Sequence, residues 1–190
     1  SVAAPVTAKD VNPSSVLDML KQGRYSLATT YVIVHYNILI CWLFLLQGCI
    51  CFWYASMPSD SMYIIPVGFL FNIQQTAICT SQATEELSPV MPSKSYCSPW
   101  LIYQLLIQMA LFAIFNVLAM IILTQMGFYS EYTTDDISVP LSYDGYEVTV
   151  TQLMICGQMT IAMLVSDIGE PFRIGWINNP ITFWSFFVCA

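Results

Sequence analysis

Positive charge is nearly missing from this chain. Its 190 residues hold 5 Lys and Arg against 12 Asp and Glu, a formal net charge of −7. Binding nucleic acid needs a basic patch to neutralise phosphates, and five scattered residues do not make one, so the sequence points away from a nucleic-acid partner. Charge of either sign is scarce too. Only 9% of residues are charged, where a soluble domain carries roughly 25%. So little charge cannot cover a water-facing surface. With 57% hydrophobic residues and a mean hydropathy of +0.65, the class is a polytopic membrane protein.

Catalytic signatures are absent as well. There is no phosphate-binding loop, nucleophile elbow, zinc-ligand spacing or dinucleotide fingerprint. The seven cysteines form no Cys-x-x-Cys pair, and six sit in apolar runs, where they act as small hydrophobes. No catalytic, metal-binding or cofactor-binding residue is therefore assigned to this chain. No signal peptide is recognisable, and no Asn-x-Ser/Thr acceptor lies in the acidic loops.

What the sequence does have is long uncharged runs. The expected fold is all-α, a polytopic transmembrane helix bundle with four complete spans and the start of a fifth. Residues 1–26 read as a polar stub containing a short amphipathic helix from Ser14 to Gln22, with Val16, Leu17 and Leu20 on its apolar face. The spans are expected at about 27–55, 62–80, 100–126, 148–165 and 180–190. The last is half the length a bilayer requires, and the chain reads as a fragment of something larger.

The few basic residues are sorted. Lys9, Lys21 and Arg24 precede the first span, Lys94 lies between the second and third, and Arg173 follows the fourth. All five fall on one side of the membrane. The other side carries Asp60, Glu131, Asp135, Asp136, Asp144 and Glu147. The positive-inside rule makes the stub cytosolic and the acidic loops luminal or external.

The second span is unusually polar, with Pro66, Gly68, Asn72, Gln74, Gln75 and Thr76. Pro66 is expected to kink or interrupt the helix. Asn72, Gln75, Thr76 and Cys79 fall at i, i+3, i+4 and i+7 and share a face. Amides there can replace the hydration shell of a cation, or equally hydrogen-bond a neighbouring helix. Gln74 points away from that face. Gln47 and Asn37 are the strongly polar side chains of the first span and are expected to face the second. The candidate substrate pathway is Gln47, Asn72, Gln75 and Thr76. His35 reads as a packed histidine rather than a proton relay. Aromatic clusters at 51–55, 99–103 and 127–132 sit where spans end, as an interfacial belt does.

Several stretches, in order, resemble one family. "SVAAPVTA" followed by "MLKQGRYSLATTY" and an apolar helix near "VHY" resembles the exit from the phosphorylation domain into the fifth core membrane helix of a P-type ATPase. The similarity is to the fifth subfamily, in its polyamine and cation-transporting branch. "ELSPVMPSKSYCSPW" resembles the loop ahead of core helix seven. "YDGYEVTVTQLMICGQMTIAMLVSDIGEPFRIGWINNP" resembles core helix eight and its exit. The chain would then hold core helices five to eight and the start of nine.

The resemblance implies a parent that hydrolyses ATP, with magnesium, through an aspartyl-phosphate and moves a small cation, a polyamine, out of the lumen. It implies as partners the lipid bilayer, the phosphorylation, nucleotide and actuator domains, and core helices one to four. It also implies a vacuolar, endolysosomal or other endomembrane location. This chain departs from the family at two places. The family's core helix six Asp corresponds to Val67 or Ile73 here, and its core helix five Gln to Phe44. The rival readings are a non-enzymatic multi-pass carrier or channel, and a catalytically silent, ATPase-derived scaffold.

Overall fold

A computed structural model describes residues 13–84, 87–91, 95, 97–130, 145–166, 171–175 and 178–189. Lys9, Lys94 and most of the acidic loop, residues 131–144, lie outside the described residues. Within them the chain is helical and contains no β-strand. One isolated antiparallel bridge joins Ala83 to Arg173.

The first helix, α1, runs from Pro13 to Trp53, 41 residues without a break. Proline suits a first helical position because its missing N–H would have had no partner there. No other proline interrupts the run. The separate helix expected at Ser14–Gln22 does not exist, because the chain continues through Gly23 into the span. An interior glycine costs about 1 kcal/mol, and the good helix formers Leu20, Lys21, Gln22 and Arg24 around it carry the helix across. At 1.5 Å per residue α1 is about 60 Å long, twice a hydrocarbon core. It ends in a left-handed turn at Ala55 (φ 48°), with the Ser56 N–H donating to the Cys51 carbonyl at 2.9 Å. That closure is the one glycine commonly makes at helix ends.

Helix α2 covers Asp60–Cys79. It opens with one α-helical turn (Asp60–Tyr63), widens into a π-helix over Ile64–Phe71, and tightens again over Asn72–Cys79. Pro66 neither breaks nor ends the helix, and the turns around it are rewound. Helix α3 is Pro99–Thr124, again with proline at its start, and α4 is Tyr146–Ser166. The last, α5, is Pro180–Cys189. Its N-terminus is capped by Asn179, whose Oδ1 accepts from the Ile181 N–H at 3.1 Å.

Helices α1 to α4 are each long and apolar enough to cross a membrane. The centre of the bundle is the pair α1 and α4. Helix α2 and helix α3 each pack on both, and α5 lies against the second half of α2. Val32, Tyr36, Leu39, Ile40 and Leu43 recur every three or four residues on α1. They interlock with Ile155, Met159, Ala162 and Met163 of α4, Leu70 and Ile78 of α2, and Phe112 of α3. Trp53 and Trp100 are exposed at helix ends, where an interfacial belt places them.

One end of the bundle gathers the described basic residues. The Arg24 guanidinium donates to the carbonyls of Ser88 and Val90, and the Tyr25 hydroxyl to that of Ser81. Arg173 is buried and its Nη2 donates to the Ile78 carbonyl at 2.8 Å, placing a cation at the C-terminal end of α2 where the helix dipole favours one. The segment 171–175 then hydrogen-bonds the segment after α2: Ile174 N–H to Gln82 O at 3.0 Å, and Ser81 Oγ to Ile174 O at 3.2 Å.

Candidate functional site

Polar side chains in the bundle pair across helices at successive levels of α1. Nearest the basic end, His35 Nε2 donates to Gln108 Oε1 of α3 at 2.9 Å. Beside it the Tyr36 hydroxyl donates to Gln74 Oε1 of α2 at 2.6 Å, and Gln74 Nε2 donates to Thr160 Oγ1 of α4 at 3.3 Å. Three helices are thus tied through one amide. Between α3 and α4, Asn116 Nδ2 donates to Gln158 Oε1 at 2.7 Å. All six of these residues other than Tyr36 are polar groups in the apolar part of the chain. Each is buried, and each finds a partner, as burial away from water requires.

Farther from the basic end, Gln47 Nε2 donates to Gln152 Oε1 of α4 at 2.9 Å, and Gln152 Nε2 donates to the Met62 carbonyl at 2.9 Å. Met62 lies four residues before Pro66, which has no N–H to offer it. The amide of a neighbouring helix supplies a donor at the proline. That backbone carbonyl can only accept, so it fixes which end of Gln152 is nitrogen, and Gln152 in turn fixes Gln47. The Gln47 Oε1 is left buried with no partner among the described residues.

The four pathway candidates are not gathered into one place. Asn72 and Thr76 lie on the outer face of α2 and are exposed, with Gln75 half-buried beside them. Gln47 sits in the seam between α1 and α4 at 1% exposure. On the outer face the polar groups bond back to their own helix. Asn72 Nδ2 donates to the carbonyls of Val67 and Gly68 at 3.0 and 2.9 Å, and Thr76 Oγ1 to that of Asn72 at 2.7 Å. The Asn72 amide therefore caps two carbonyls of the π-helical segment. No described helix covers this face, and it holds oxygen and amide groups in a span otherwise fit for lipid. Carbonyls and amides can solvate a cation without adding a charge of their own.

Gln108, Asn116, Gln152, Gln158 and Thr160 escaped the sequence reading. Their signal was periodicity. Gln108 and Asn116 are two turns apart on α3, and Thr151, Gln158 and Ser166 repeat along the buried side of α4. Asn37, expected to face the second span, is half-buried.

No family model matches the sequence. The chain is 29% identical over 175 residues to the vacuolar cation-transporting ATPase of Saccharomyces cerevisiae, a match covering 91% of this chain and 12% of that protein. The chain therefore spans about an eighth of the length of the curated relative it matches. The similarity supports a P-type ATPase-related family at most and resolves no subfamily.

Proposed function

We propose that this chain is part of the membrane domain of an ATP-driven cation transporter of the polyamine-moving type, with its N-terminal segment on the cytosolic side. The observation that carries the reading is the similarity, over nine-tenths of the chain, to a vacuolar cation-transporting ATPase. The uninterrupted α1 supports it. A helix that begins in a polar segment and crosses the whole bundle links events outside the membrane to side chains within it. ATP and magnesium would be bound by parts of the larger protein, and this chain's share would be transmission and cation passage. Asn72, Gln75 and Thr76 would line the pathway, facing helices of the parent that this chain does not contain. Gln47 would contribute from the α1–α4 seam.

A second reading has one observation in its favour. Among the described residues of α2, the only carboxylate is Asp60 at its first position, so a pump that needs an acid in this helix would be silent. The two readings separate in the purified full-length protein. A transporter should form an acid-stable phosphoenzyme and hydrolyse ATP faster with spermine. Absence of both would overturn the transporter and leave the scaffold.

A further inference from the structure

One buried acid has no use in the pathway just described. Glu147 sits in the first turn of α4 at 3% exposure, and its Oε1 accepts from the Tyr129 hydroxyl at 2.8 Å. The carboxylate lies so close to Gly145 that a β-carbon there would stand 2.4 Å from Oε2. Only glycine fits at 145 without displacing the acid. The sequence has no Lys or Arg from 25 to 93 or from 95 to 172, and no ion pair to Glu147 is found among the described residues. A carboxylate taken out of water without a counter-charge is unfavourable. Its place at a helix N-terminus offsets only part of that.

The seam leading inward from Glu147 is polar. Thr151, one turn on, gives its hydroxyl to the Glu147 carbonyl at 2.8 Å and touches Cys51 Sγ at 3.7 Å. Cys51 lies one turn from Gln47 on the same face of α1. Here the direction of the hydrogen bonds matters. The hydroxyls of Tyr129 and Thr151 and the amide nitrogens of Gln47 and Gln152 each have an acceptor. Among the described residues the Gln47 Oε1 has no donor, and the fixed chain from the Met62 carbonyl forbids flipping the amide to remove it. A buried acceptor left without a donor is unfavourable. Among the described residues the seam lacks a counter-charge beside Glu147 and a donor for the Gln47 oxygen.

We propose that the α1–α4 seam binds a hydrogen-bond-donating cation, an ammonium group rather than a bare metal ion. Glu147 is its charge partner at the mouth, and the Gln47 amide oxygen is its inner acceptor. The inference rests on the cation-transport reading and supplies, on α4, the carboxylate that α2 lacks. A metal is the poorer fit. No group of three or more His, Cys, Asp or Glu is gathered among the described residues, and hard divalent ions ask for about six oxygens or more. In this conformation the seam is shut, with Gln47 and Cys51 at 1% and 2% exposure, so the cation reaches Gln47 when α1 parts from α4.

The test compares ammonium with rubidium, ions of similar radius of which only the first donates hydrogen bonds. The full-length protein in lipid nanodiscs is melted in chloride salts of ammonium, methylammonium and rubidium, and ATP hydrolysis is titrated with the same salts. The two ammonium ions should raise the melting temperature and rubidium should not. Glu147→Gln should raise the half-maximal ammonium concentration about tenfold, and Gln47→Met about threefold. Equal melting shifts for ammonium and rubidium would overturn the site, as would an unchanged half-maximal concentration in Glu147→Gln. If Glu147→Gln does not fold, Gln47→Met decides by the same criterion. If Asn72→Leu with Gln75→Leu shifts the titration while Glu147→Gln does not, the pump stands and the seam site falls. If no salt alters hydrolysis, the pump reading fails and the melting shifts alone judge the seam.

Discussion

The α1–α4 seam and the outer face of α2 hold the same kinds of side chain and use them in opposite ways. In the seam, Gln47 and Gln152 bond across helices and end on a third helix at Met62. On the outer face, Asn72 and Thr76 bond to carbonyls of their own helix. Amides that reach across hold helices together, and the one at Gln47 still leaves its oxygen without a donor among the described residues. Amides that fold back hold their own helix and leave lone pairs for a visitor. Residue type does not distinguish the two uses, and partner direction does.

The comparison breaks most visibly at Gln152. Gln152→Leu removes a donor from Met62 and the acceptor from Gln47 together. It should cost about 2 kcal/mol, read as a lowered midpoint in detergent thermal unfolding of the full-length protein. A change near zero would mean the seam is not held by this relay. On the outer face the effect should be chiefly functional. Asn72→Leu with Gln75→Leu should raise the half-maximal spermine concentration for ATP hydrolysis about tenfold, with about 1 kcal/mol of stability lost from the two bonds Asn72 makes to its own helix. An unmoved titration would return those amides to packing. Tyr36→Phe sharpens the picture from within the bundle, because it leaves Gln74 with one partner of two. About 1 kcal/mol of stability should go, with the spermine titration unchanged. Smallest of all, Thr76→Val deletes a bond within one helix and should alter stability by about 0.5 kcal/mol or less, measured by the same melt.

Much of the architecture was readable from the chain because hydropathy and charge report it directly. Four uncharged runs became four helices, and Arg24 bonds the loop after α2 while Arg173 bonds the last turn of α2 that leads into it. The face shared by Asn72 and Thr76 was legible for the same reason, since helical periodicity fixes it. Other features were hidden. A proline announces trouble but not its remedy, and nothing near Pro66 in sequence foretells that Gln152 donates beside it. Gln74 was set aside because it leaves the polar face, yet leaving that face is what turns it toward Tyr36 and Thr160. The short helix expected to end at Gln22 runs on through Gly23, because good helix formers on both sides carry it.

The continuity of α1 has a mechanical consequence. A rod about 60 Å long that pivots by about 5° at its middle swings each tip by roughly 2.6 Å, about half the rise of a helical turn. Arg24, about 14 Å from the middle, rests on the loop after α2, and Cys51, about 27 Å from it on the far side, lies against Thr151. A tug of that size on the polar end therefore arrives at the far end undiminished and reversed in sense. It is large enough to separate two atoms now 3.7 Å apart.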